Sequence, residues 1–102
     1  MLIIKKLSKM IKEEIGDSEK YARCALNHKD TDKALADTFY NLACEELKHM
    51  EMLHEQVTRI IASYKKEKGD PPEVMKALYD YIHEEQIEDV QEVKVLLAMY
   101  KG

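Results

Sequence analysis

Two residues near the middle of the chain combine a type and a spacing that could do chemistry. Glu46 and His49 stand in the stretch Phe39 to Ile61, FYNLACEELKHMEMLHEQVTRII. Its apolar residues recur at Phe39, Leu42, Ala43, Met50, Leu53, Val57 and Ile60, which is the period of an amphipathic helix. Glu46 and His49 fall inside that apolar stripe. A charged carboxylate and an imidazole on a core face are costly unless they are paired or bound to something. A separation of three places both side chains on one face, one turn apart. So placed, a carboxylate oxygen and an imidazole nitrogen can ligate one metal ion. The same spacing arises by chance in a chain that is 35% charged, so a solvated helix face is the competing reading.

The elements that must position this pair are three long helices, an all-α fold in one domain spanning residues 1–102. Helix one is expected from about residue 2 to 28. Its seam runs Ile4, Leu7, Ile11, Glu14, Ser18, Tyr21 and Ala25, in alternating steps of three and four. Glu14 lies in the middle of that seam, whereas Glu13 and Glu19 fall off it. Gly16 inside the helix suggests close approach of a neighbouring backbone. Asp30, Thr31 and Asp32 are all good N-cap residues, and the short break predicts an antiparallel hairpin. Helix two runs from about residue 33 to 68 and stops at Gly69. Asp70 as N-cap, Pro71 at the first helical position and Glu73 then open helix three, expected over about 71–100.

An antiparallel hairpin turning near Asp30 brings residues level when their positions add to about 60. Glu14 and Glu46 meet that condition, whereas Glu19 is level with Asn41. The same register separates Cys24 and Cys44 by roughly 12 Å along the axis, too far for a disulfide within one chain. For helices two and three, turning near Gly69, level positions add to about 139. Glu46 then faces Val93 beside Glu92, and His49 faces Val90 near Glu88 and Asp89. Glu88 and Glu92 therefore rank above His83 and Glu84 as extra acid ligands, against the plainer reading of residues 83–92 as a solvated charged face.

Two carboxylates and one imidazole at one level make half of a di-iron site in a helical bundle. A two-fold dimer would supply the other half, with two copies of Glu14, Glu46 and His49. Glu46 would bridge the two metals, Glu14 would bind terminally and His49 would cap. These donors suit iron or manganese, and zinc could also bind. The expected assembly is a homodimer or a higher homo-oligomer.

At these residues the chain resembles the ferritin-like superfamily, in particular its half-length rubrerythrin-like and encapsulated-ferritin-like members. The resemblance rests on Glu14 seven residues before Tyr21, and on Glu46 and His49 as Glu-x-x-His. It covers roughly residues 7 to 60. It implies a four-helix core completed by dimerisation, a di-iron cofactor, and ferroxidase-type oxidation with Tyr21 as a catalytic residue. The chain departs from the full-length pattern in having three helices, and it has no cysteine-rich iron domain. The alternative is a metal-free interaction module in which the same polar layer sets dimer register.

Composition narrows the other classes. A formal charge of -4 argues against nucleic acid as a default partner. No apolar run approaches the ~20 residues of a membrane span. The opening MLIIKKLSKMIK has no leader-like apolar core, which suggests a cytoplasmic protein. The two cysteines have no Cys-x-x-Cys spacing and are expected to be reduced thiols.

Overall fold

The computed structural model describes residues 2–102. Helix α1 spans Leu2–His28, α2 spans Lys33–Lys68 and α3 spans Glu73–Lys101. No strand occurs among the described residues. The helices form an elongated bundle of 55 × 19 × 18 Å, about the length of α2 alone at its regular rise. As the register predicts, α2 is one unbroken rod that outruns α1. No described helix is long and apolar enough to cross a membrane.

Local chemistry sets the boundaries. Asp32 caps α2 by accepting a hydrogen bond from the Leu35 amide at 3.1 Å. At the far end Gly69 takes φ 79°, where a side chain would be strained, and its N–H reaches Lys65 O. The start of α3 corrects the expectation. Asp70 is not its N-cap and Pro71 is not helical; the cap position is Pro72, at φ -52° and ψ 145°. Pro72 is the reason, because a residue preceding proline is pushed out of the α region and Pro71 precedes it. Pro72 offers no side-chain cap, so α3 begins uncapped at Glu73.

Helices α1 and α2 pack closely because the residues between them are small. Ser18, Ala22 and Ala25 on α1 and Ala36 and Ala43 on α2 are all buried. Ser18 is fully enclosed, and its hydroxyl is satisfied by donating to Ala43 O at 2.7 Å. Ile11, Ile15 and Ala22 meet Val93 and Leu97 of α3 in the main core. Helix α3 packs chiefly on α1 and touches α2 sparsely. The second half of α2 and the first half of α3 flank a cleft of about 350 Å³, lined by Val57 and Ile61 on one side and Tyr79 and Ile82 on the other. Gly16 is also corrected: a Cβ there would meet nothing within 4 Å, so no backbone approaches it.

Candidate metal centre

The hairpin register brings the predicted residues together. Glu14, Glu46 and His49 each offer a ligand atom, and these atoms all lie within 4.8 Å of one another. His49 Nδ1 stands 3.6 Å from Glu14 Oε2 and 3.7 Å from Glu46 Oε2. Both carboxylates are largely enclosed, with side chains 28% and 19% exposed, while the His49 ring is 55% exposed. The group therefore has a closed floor of carboxylates and an open side at the imidazole.

Its electrostatics are unbalanced. Glu14 Oε2 is buried and no hydrogen-bond donor reaches it. Opposite it, Glu46 is pushed up to about 7, first by sharing a hydrogen bond with Glu14, then by burial and by the Glu14 charge. The His49 charge works in the other direction and is outweighed. Asp17, one turn along α1 from Glu14, adds a further negative contribution. Two facing carboxylates in a partly dry seam hold one ionisation back. Either a proton on Glu46 or a cation between the two groups would supply what Glu14 Oε2 lacks. Hard oxygen donors with one imidazole fit a divalent cation of the iron or manganese type.

Ring contacts show which side of the hairpin this group occupies. Phe39 of α2 stacks on Tyr21 of α1 with centroids 6.3 Å apart. The next residue, Tyr40, stacks instead on Tyr100 of α3 at 5.1 Å. On α2, Phe39, Glu46, His49 and Leu53 lie along one side, whereas Tyr40, Cys44 and Leu47 lie toward α3. Tyr21 is half-buried against Phe39, two turns along α1 from Glu14. Glu88 and Glu92 are exposed on α3 and are not part of the three-residue group; Val93, the level position, is the residue that turns inward. Cys24 and Cys44 are both free, half-buried thiols.

Sequence reasoning missed a second polar cluster, formed by Lys33, Asp37 and Tyr100. Tyr100 is 3% exposed, and its hydroxyl donates to Asp37. Lys33 donates to Asp37 Oδ1 at 2.8 Å and to Tyr100 Oη at 3.2 Å. Hydrogen bonds from Lys33 and then Tyr100 hold the Asp37 carboxyl below its usual range. The available signal was the α2–α3 register, which sets Tyr100 level with residue 39. Comparison with known family models, with curated proteins and with solved structures found no match.

Proposed function

We propose that this chain is a ferritin-like metal-binding protein that handles iron, with Glu14, Glu46 and His49 as its ligands. The observation that carries this reading is the buried Glu14 Oε2, which has no donor, set against a Glu46 carboxylate raised to about 7. A cation would relieve both. Three donors leave a metal centre incomplete, and the exposed His49 edge leaves room for a second copy about a two-fold axis. In that dimer Glu46 would bridge two ions, Glu14 would bind terminally and His49 would cap. Iron held there would supply one-electron chemistry toward dioxygen or peroxide, of the ferroxidase type, with Tyr21, two turns along α1 from Glu14, as the catalytic side chain. Manganese or zinc would bind the same donors without that turnover.

Unburied apolar surface favours an oligomer. Leu47, Val57, Ile61 and Tyr64 on α2 are only half-buried, and Met10, Met52 and Val95 are exposed. A second reading draws on the same raised Glu46: a proton there could satisfy Glu14 without metal, and the layer would then serve only to fix the register of an interaction module. Light scattering with chelator and with ferrous iron, paired with an iron-dependent oxygen-uptake assay, separates them. The metal-bound reading expects iron to favour the dimer by mass action and oxygen to be consumed. A chain that stays monomeric while binding two irons would contradict the shared centre.

A further inference from the structure

We propose a second cation site, distinct from the carboxylate centre, in which His54 of α2 and His83 of α3 chelate a late first-row divalent cation of the zinc type. The two Nε2 atoms lie 3.2 Å apart, and the ring centroids lie 5.1 Å apart with planes 17° from parallel. Two imidazoles each about 2.0–2.1 Å from one tetrahedral zinc have nitrogens roughly 3.3 Å apart and centroids roughly 5.2 Å apart. The observed separations match both values, so zinc requires little movement of either ring.

Two carboxylates line the adjoining clefts, although among the described residues none joins the two rings at the ligand-atom spacing of the Glu14–Glu46–His49 group, so water would complete the coordination. Each histidine follows a carboxylate by three residues, as Glu51-x-x-His54 and Asp80-x-x-His83, which sets acid and imidazole on one helix face. Glu51 lines the cleft on one side of the histidine pair and Asp80 lines the cleft on the other. Gln86 lines both. His83 is exposed and His54 half-buried, so an ion can enter from solvent. Imidazole donors favour zinc, nickel or copper, in contrast to the oxygen-rich group at Glu14 and Glu46. The site also has mechanical sense. Helices α2 and α3 touch sparsely, and the pair spans the gap between them, so a bound ion would clasp the first half of α3 to α2.

Zinc titration by calorimetry tests this, comparing the parent with His83→Ala, His54→Ala and Glu46→Ala. The parent and Glu46→Ala should bind one zinc per chain that both histidine variants lose, or bind about tenfold or more weakly. In the Glu46→Ala background, where the carboxylate centre is removed, zinc should raise the thermal midpoint, and adding His83→Ala should abolish that rise. Because His83 is exposed, its replacement should leave helix content unchanged by circular dichroism. Equal zinc stoichiometry and affinity in the parent and His83→Ala would overturn the proposal, and would show that the two rings share only a neutral N–H···N hydrogen bond. Loss of zinc in Glu46→Ala alone would also overturn it, by assigning the ion to the carboxylate centre.

Discussion

Two of the polar clusters at helix contacts in this chain are built on opposite principles. Lys33, Asp37 and Tyr100 join α2 to α3 with a cation, an anion and a hydroxyl that satisfy one another. The Tyr100 ring also carries Lys33 Nζ 4.8 Å from its centroid. Glu14, Glu46 and His49 join α1 to α2 with two acids and an imidazole that does not reach hydrogen-bond distance of either. One Glu14 oxygen is left without a donor. The structural cluster contains its own counter-charge, whereas the hairpin cluster leaves one buried carboxylate oxygen without a donor. That deficit is the physical basis for reading it as a cation site.

The contrast predicts opposite signs for mutations, and the largest effect belongs to Glu46. Its carboxyl is pushed up to about 7 in the folded chain from an ordinary 4.5, so the folded state holds the proton more tightly than the unfolded state. The stability this contributes is complete below about 4.5 and is lost as pH rises through about 7. Glu46→Gln should therefore stabilise the metal-free chain by roughly 1–3 kcal/mol at about pH 8 and by much less at about pH 4. Urea unfolding at both pH values checks this. A destabilised Gln variant at the higher pH would mean that the cluster is already balanced.

The converse applies at the satisfied cluster. Tyr100→Phe removes the hydrogen bond to Asp37 and should cost about 1 kcal/mol in the same assay. A neutral or stabilising result there would erase the distinction between the clusters. The smallest effect is expected at Glu19, five residues from Glu14 on the same helix. It pairs with Arg23 at 3.6 Å on an exposed face, so Glu19→Gln should change stability by no more than about 0.5 kcal/mol. It should leave metal affinity untouched, whereas Glu14→Gln should reduce it.

How much of this was legible in the sequence follows from which patterns are local. The hairpin register was legible because a short turn ties two heptad-like stripes, and Glu14 and Glu46 are the acids within them. Ser18 against Ala43 obeys the same register. Ile15 and Ala22 are buried yet lie outside the strict seam, because α3 covers the flank of α1 and widens its apolar stripe. The start of α3 was misplaced because Asp70 and Glu73 form a plausible capping pattern, which the Pro71–Pro72 pair overrides. The Lys33–Asp37–Tyr100 cluster was hidden because Lys33 and Asp37 read as an ordinary solvated pair until Tyr100 arrives from the far end of the chain. Glu88 and Glu92 sat at the right level, but level does not fix which way a helical side chain turns.

Manganous ion, whose free electron paramagnetic resonance signal falls on binding, offers the most direct test of the proposed metal centre. It favours oxygen donors and so addresses the Glu14–Glu46 group ahead of the histidine pair. Titrated against the parent chain, the signal should fall to saturation; against Glu46→Ala or His49→Ala, at unchanged helix content, it should remain that of the free ion. Equal binding by the parent and both variants would contradict the assignment of Glu14, Glu46 and His49 as a metal centre.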